Sequence, residues 1–332
     1  MADAKNKTRK TLKSRKIYSE GRLNILTSSL AQLTSLEDVN NLCIYVTGSY
    51  GRLEASEHSD LDLFFVQTSD NASISVGRIE STLFDADVIR LTRSLGFPEF
   101  SRDGQFLEVH QLPAILEHLG GQEDDARNYF TARLLLLLES QPLYAVPVYQ
   151  RTLKSLIDAY YRDYHDHEKD FRPVFLANDI VRFWKTLCLN YEHKRNRATN
   201  DQLLRAKSHL KNLKLKFSRM LTCYSTLAWI ASKETGPGPE EVFEMVSLTP
   251  IARLREVQGF DSEAETYVEN ALAEYSWFLE AIGHSEEDLI TWIRVPANRR
   301  EAFTIGKKFG DEIFKLIVHL AVGKPFLRYL VV

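Results

Sequence analysis

Alternation of apolar and polar residues in the first third of the chain predicts β-strands. The stretch from Cys43 to Thr47 is β-branched and aromatic, which is typical of a strand. A second strand is predicted over residues 60–66, with Asp60, Asp62 and Phe64 on one face and Leu61, Leu63 and Phe65 on the other. A third is predicted from Phe106 to His110. These strands would form one small sheet.

The other segments have the apolar spacing of helices. One helix is predicted around residues 25–36, and another over residues 76–95. From about Glu117 onward the strand signals fade, and the chain reads as helical. The helices predicted there cover residues 124–140, 178–195, 201–232, 262–283 and 300–323. The Gly- and Pro-rich stretch at residues 233–241 is predicted to be a loop.

This pattern predicts an α+β protein, in which a small domain with a mixed β-sheet precedes an all-α helical domain. We expect a basic N-terminal arm over residues 1–22, the sheet domain over residues 23–116 and the helical domain over residues 117–332. The chain has 332 residues, which suits one or two domains.

Composition narrows the class of protein. The net charge of -3 argues against a generally basic protein that coats nucleic acid. Cys43, Cys188 and Cys223 are far apart, and they match neither a zinc-ligand spacing nor a disulfide framework. No apolar run approaches the length of a membrane span, and the basic N-terminus lacks the apolar region of a secretory signal. We therefore expect a soluble, cytoplasmic protein that does not associate with a membrane.

The stretch "YVTGSYGRLEASEHSDLDLFFV" carries the strongest functional signal. Gly48 has no Cβ, so its backbone can approach a ligand closely, and Ser49 offers a hydroxyl and an N–H group to phosphate oxygens. Asp60 and Asp62 lie two residues apart on a predicted strand and would project from the same face. Their oxygens suit hard cations such as Mg²⁺ or Mn²⁺. The stretch therefore predicts a site for a nucleoside triphosphate and metal ions.

The motif "GSYGRLEASEHSDLDL" resembles the DNA polymerase β-like nucleotidyltransferase superfamily, whose signature is Gly-Ser, a short spacer and Asp-x-Asp. It looks most like the branch that contains the PII-protein uridylyltransferases, and the likeness extends from Cys43 to Tyr144. Arg52 and Ser59 belong to the motif and are predicted to contact substrate. Leu53 stands where the family usually has glycine.

The resemblance implies a palm-like nucleotidyltransferase domain and transfer of NMP from an NTP to an acceptor hydroxyl, with release of pyrophosphate. It also implies a third metal-binding carboxylate on a later strand. Glu108 is our choice, because it would share a face with Phe106 and His110. Asp87, in a predicted helix, and Asp103, in a predicted turn, compete for this role. The predicted catalytic and metal-binding residues are thus Asp60, Asp62 and Glu108.

The sequence does not identify the acceptor of the NMP group. A protein side chain follows from the nearest resemblance, while a second nucleotide, giving a nucleotide second messenger, or an RNA end would use the same chemistry. A catalytically inactive regulator that binds NTP is an alternative of a different class. Retention of both aspartates and of Gly48-Ser49 counts against that alternative, because a sensor needs no pair of metal ions.

Cations of the predicted helical domain are further candidates. In two-domain nucleotidyltransferases this domain supplies cations to the triphosphate, and the resemblance implies such a role for Arg182, Lys185 and Lys211. Lys207, Lys211 and Lys214 follow one helix face at i, i+4 and i+7. The same stripe could bind an RNA backbone or an acidic acceptor, or simply face solvent.

Overall fold

The computed structural model describes residues 2–36, 41–68, 78–100, 107–196 and 201–331. The chain divides into two compact units. The first, which we call the sheet unit, is Ser14–Arg162. The second, which we call the helical unit, combines residues 163–332 with residues 1–13. The fold is a mixed α+β fold, with one small sheet and many helices, as the sequence predicts.

The sheet unit contains all four strands found in the described part of the chain. They are β1 (Leu42–Thr47), β2 (Asp62–Gln67), β3 (Val109–Gln111) and β4 (Gln141–Tyr144). Its helices are α1 (Ala2–Leu30, which begins in the other unit), a 3₁₀-helix (Thr34–Leu36), α2 (Gly48–Gly51), α3 (Arg78–Ser94), α4 (Leu112–Glu117), α5 (Gln122–Ala126), α6 (Tyr129–Glu139) and α7 (Val146–Tyr160).

The sheet has the strand order β3-β2-β1-β4. Strand β1 pairs antiparallel with both β2 and β4, and β2 pairs parallel with β3. The predicted strand at residues 43–47 is confirmed as β1. The second predicted strand begins at Asp62, so Asp60 precedes it. The third is shorter than predicted and begins at Val109, while Phe106 lies outside the described residues.

The two faces of β2 are those that the alternation predicts. Leu61, Leu63 and Phe65 pack into a core against α1 and α3, where Phe84 meets the ring of Phe65 edge-on at 5.0 Å. On the opposite face, Phe64 stacks on Tyr45 with ring centroids 5.6 Å apart. Because each strand has one apolar face toward each layer of helices, the sheet is buried on both sides.

The helical unit contains no strand within its described residues. Its helices are α8 (Tyr164–His167), α9 (Val174–Asn196), α10 (Gln202–Lys214), a π-helix (Leu215–Arg219), α11 (Met220–Ser232), α12 (Pro239–Val246), α13 (Pro250–Gln258), α14 (Ser262–Ala281), α15 (Glu286–Arg294), α16 (Pro296–Ala321) and α17 (Phe326–Val331). Across the described ranges, no helix has both the length and the apolar character that crossing a membrane requires.

The N-terminal residues predicted to form a basic arm belong to a helix. Helix α1 runs without a break from Ala2 to Leu30, so it begins earlier and ends earlier than the helix predicted around residues 25–36. Its first residues pair with acidic residues of the helical unit: Lys5 with Glu269, and Lys7 with Glu280 at 2.9 Å. These ion pairs offset the repulsion among the basic residues that suggested a free arm.

The boundary expected between residues 116 and 117 falls inside the sheet unit. Helices α6 and α7 pack against β1, and β4 extends the sheet after α6. The leucine run Leu134–Leu138 is therefore core of the sheet unit, with side chains nearly inaccessible to solvent. Sequence periodicity predicted α6, within the helix expected over residues 124–140, but not α7, and it carried no information on which face of the sheet either helix would cover.

A buried ion pair joins α5, α6 and α7. Arg133 donates two hydrogen bonds to Asp124, at 2.7 Å and 2.9 Å, and a third to the hydroxyl of Tyr160 at 2.8 Å. The side chains of Arg133 and Asp124 are both fully buried. This environment raises the pKa of Arg133: burial opposes the shift, and the contacts with Asp124 and Tyr160 outweigh it.

Asp124→Ala should lower the free energy of unfolding of the sheet unit by about 3–5 kcal/mol, because it leaves the guanidinium of Arg133 buried without its carboxylate. The neighbouring Glu123→Ala is the matched control. It removes an exposed ion pair with Arg127 and should cost less than about 0.5 kcal/mol. Hydrogen exchange of the β1 amides measures both, since all four tryptophans lie in the helical unit. Equal effects of the two substitutions would contradict the argument.

Candidate active site

The candidate site lies where β1 ends and β2 begins. The two strands pair antiparallel up to Thr47, which lies opposite Asp62. Gly48 follows Thr47, so the register places it beside the Asp62 side chain. A Cβ built on Gly48 would lie 2.4 Å from Oδ2 of Asp62. The structure therefore places the Gly-Ser part of the motif directly beside its Asp-x-Asp part.

Gly48 is suited to this position for two reasons. Its φ of +67° lies in the left-handed region, which disfavours residues with a side chain. Its missing Cβ also leaves the room that the carboxylate of Asp62 occupies. Gly48 is buried, and the following Ser49 is half-buried at the start of α2. The turn thus brings a backbone segment, the residue Ser49 and a carboxylate close together.

Arg52 fixes this turn through buried ion pairs. It is buried, and its guanidinium donates to Glu54 and to Glu139, each at 2.8 Å. The adjacent Gly51 packs so tightly on α6 that a Cβ there would lie 2.0 Å from the carbonyl oxygen of Glu139. Arg52 was predicted to contact substrate, and this geometry favours a positioning role instead, because both carboxylates that bind it are interior.

The loop between Arg52 and β2 is fixed by α1. The hydroxyl of Ser19, which is fully buried, accepts a hydrogen bond from the backbone N–H of Ala55 at 2.9 Å. Ser59, another predicted substrate contact, accepts from the backbone N–H of Ser56 at 2.9 Å. Its hydroxyl therefore shapes the turn that precedes Asp60.

Leu53 adopts the left-handed conformation, with a φ of +58°. Glycine reaches this region without strain, whereas a residue with a side chain does not. The side chain of Leu53 packs against the sheet core. Packing thus offsets the strain that this residue introduces.

Asp60 and Glu108, the other two predicted metal ligands, belong to different segments: Asp60 to the loop before β2 and Glu108 to the residues before β3. Asp60 is exposed just before β2, and Asp62 is half-buried at its first position. Glu108 precedes β3, in which Val109 pairs with Phe65. Continuing that register by one residue places Glu108 beside Phe64, on the face that carries Asp62. The alternation supports this, because Val109 packs on the opposite core and His110 stacks on Phe64.

His110 is the titratable neighbour on this face. It is 6% exposed, and burial lowers its pKa, while the nearby carboxylate of Glu108 acts in the opposite direction. The imidazole belongs to the aromatic layer formed with Phe64 and Tyr129. Burial thus lowers the pKa of His110 and opposes its charged form beside Glu108.

The three predicted metal ligands do not form a preformed metal cluster. Within the residues that the structure describes, no group of three or more His, Cys, Asp or Glu side chains is arranged to hold a metal ion. Asp87, the first competitor of Glu108, lies on α3 and pairs with Arg90 at 3.3 Å. Asp103, the second, lies outside the described residues.

The predicted cations all belong to the helical unit. Arg182 pairs with Asp179 one turn earlier on α9, at 3.3 Å, and Lys185 is exposed on the same helix. Lys211 is exposed on α10, where Lys207 pairs with Glu286 of α15 at 2.9 Å. Their role toward a triphosphate stays a prediction.

Sequence reasoning did not identify Glu139 and Ser19 as parts of the site. Glu139 lies 87 residues after Arg52, and Ser19 lies 36 residues before Ala55. The available signal was a charged residue closing the apolar run Leu134–Leu138. A buried carboxylate at that position requires a cation, and Arg52 supplies it.

Comparisons with known proteins gave no further support for any assignment. No family model, no curated protein and no solved structure matches this chain.

Gly48→Ala should displace the Asp62 carboxylate in addition to straining the backbone. The matched control is Gly96→Ala, since Gly96 has a similar φ of +68° but open space where a Cβ would lie. The control should cost about 1 kcal/mol through backbone strain alone. Gly48→Ala should cost clearly more, and the excess should vanish in an Asp62→Ala background. Hydrogen exchange of β1 and β2 reports both; an excess that persists without Asp62 would contradict the contact.

At position 53 we expect the glycine variant to be no less stable than the alanine variant, which reverses the usual order. Leu53→Gly should be at least as stable as Leu53→Ala, because both lose the packing and only glycine relieves the left-handed strain of about 1 kcal/mol. Leu83, 60% exposed on α3 of the same unit, is the control. There the glycine variant should be about 1 kcal/mol less stable than the alanine variant. The same order at both positions would exclude strain at Leu53.

Proposed function

We propose that this protein is a nucleotidyltransferase that uses Mg²⁺ or Mn²⁺ to transfer NMP from an NTP to an acceptor hydroxyl. One observation carries the proposal: the carboxylate of Asp62 lies directly over the Cα of Gly48, where a Cβ would meet it at 2.4 Å. The Gly-Ser turn that we propose to bind phosphate is thus in direct contact with a carboxylate suited to a cation. We further propose that the sheet unit is a palm-like nucleotidyltransferase domain.

The residues present fit a magnesium ion that is shared with substrate. Mg²⁺ is commonly held by one or two carboxylates together with substrate phosphates and water, rather than by a complete protein cage. Asp60 and Asp62 supply two such carboxylates beside the Gly48 turn, and both are accessible to solvent. The lack of a three-ligand cluster among the described residues is compatible with this arrangement.

In the proposed reaction the acceptor oxygen attacks the α-phosphorus of the NTP. A new oxygen–phosphorus bond forms, the bond to the bridging oxygen of the β-phosphate breaks, and pyrophosphate leaves. When bound, the metal ions neutralise the triphosphate and favour ionisation of the acceptor hydroxyl.

The chain's own residues set the geometry of this reaction. Gly48 and Ser49 would bind the β- and γ-phosphates through backbone and hydroxyl groups, and Asp60 and Asp62 would hold the metal. Glu108 lies on the same face and completes the carboxylate set on the acceptor side. Arg52 keeps the turn rigid through Glu54 and Glu139, so that positioning requires little rearrangement on binding.

Asp62→Asn should lower the rate of NMP transfer by at least about 100-fold, because it removes a charge that acts on the transition state. Glu57→Gln, an exposed acidic residue of the same loop, should keep full activity. Incubation with each labelled NTP, a set of acceptors and Mg²⁺ or Mn²⁺ measures transfer.

Two outcomes would overturn parts of the proposal. Wild-type protein that binds NTP with Mg²⁺ but transfers nothing to a protein, nucleotide or RNA acceptor would indicate a regulator that only binds nucleotide. Loss of activity in Asp87→Asn rather than in Glu108→Gln would move the third carboxylate to α3. Glu108→Gln should instead reduce turnover with little change in NTP affinity, because its role is in the transition state.

A further inference from the structure

The helical unit contains a groove with a strong positive charge. It has a volume of about 550 Å³ and is lined by residues of α9, α10 and the π-helix. Its described lining residues include five cations, namely Lys194, Lys207, Lys211, Lys214 and Arg219, and no acidic side chain. Of these cations, Lys207 pairs with Glu286 of α15. A concave surface with one sign of charge concentrates ligands of the opposite sign.

Lys211 and Lys214 have no compensating partner among the described residues. Neither forms an ion pair or hydrogen bond within the part of the chain that the structure describes. The two residues lie one turn apart on α10 and are exposed. Like charges at this spacing destabilise a helix slightly. An anion in the groove would convert that repulsion into attraction.

The rest of the lining is suited to an organic group. Tyr191 of α9 offers an aromatic ring, and Leu187 and Leu204 add apolar surface. Asn190 and Ser208 add neutral groups that both donate and accept hydrogen bonds. Aromatic stacking and hydrogen bonding of this kind are how proteins hold a nucleic-acid base.

The π-helix helps to form the groove. Its Phe217 is fully buried and stacks on Phe278 with ring centroids 4.5 Å apart. Leu215 and Arg219, two residues to either side, line the groove. In the π-helix, Phe217 thus packs in the core while Arg219 lines the groove. Interruptions of this type occur frequently at functional sites.

We propose that the groove binds a nucleoside polyphosphate, with its phosphates on Lys211 and Lys214 and its base against Tyr191. The volume suits one small molecule, since ligand pockets commonly range over about 300–1,000 Å³. The concave shape favours such a ligand over an RNA backbone, which follows an open stripe. Lysines neutralise the phosphates here, so binding needs no metal ion, and the proposal is independent of nucleotidyl transfer.

The test measures ATP binding by calorimetry in EDTA, with an Asp62→Asn background to disable the metal-dependent site. We expect one ATP per chain, and about tenfold weaker binding in Lys211→Gln/Lys214→Gln. Lys307→Gln is the matched control, because Lys307 is an exposed lysine of α16 in the same unit that does not line the groove. Its affinity should equal that of the unmodified background.

A second comparison tests the base contact. Tyr191→Ala should weaken binding of ATP more than binding of inorganic triphosphate, which has no base to stack. Absence of ATP binding in EDTA, or binding that Lys211→Gln/Lys214→Gln leaves unchanged, would overturn the proposal. So would binding of a short single-stranded RNA alone, with a steep salt dependence. Transfer assays run in parallel keep the two sites separate, since Asp62→Asn should abolish transfer and leave ATP binding in EDTA intact.

Discussion

The antiparallel pairing of β1 with β2 is the constraint on which the candidate site depends. It places Thr47 opposite Asp62, and the next residue must then pass beneath a carboxylate. Only glycine leaves room there, and its backbone turns into α2 with a positive φ. A shift of the register by one residue would turn Asp62 into the apolar core. Strand pairing therefore determines both the fold of the sheet and the chemistry at its end.

A second layer of interactions protects this arrangement. The buried group of Arg52, Glu54 and Glu139 connects the turn after β1 to the end of α6. Removing one member would leave a buried charge uncompensated, which is more harmful than the loss of an exposed pair. Ser19 of α1 fixes the following loop through Ala55. The site is thus held by elements that come from distant parts of the sequence.

Local patterns in the sequence were enough to predict β1 and the two faces of β2, but not β4. The alternation at residues 60–66 assigned Leu61, Leu63 and Phe65 to the core and Asp62 to the other face, as observed. Long-range relations were not predictable in this way. Periodicity predicts a buried helix that contains Leu134–Leu138, but not that this helix packs on β1, and the boundary expected between residues 116 and 117 falls inside the sheet unit. The ion pair of Arg52 with Glu139 likewise depends on tertiary packing.

Helix α1 has a consequence for the order in which the protein is assembled. Its first residues belong to the helical unit, and its later residues belong to the sheet unit. During synthesis the sheet unit leaves the ribosome as one continuous stretch. The helical unit is instead made of two segments that the entire sheet unit separates. The ion pairs of Lys5 with Glu269 and of Lys7 with Glu280 can therefore form only after most of the chain has been synthesised.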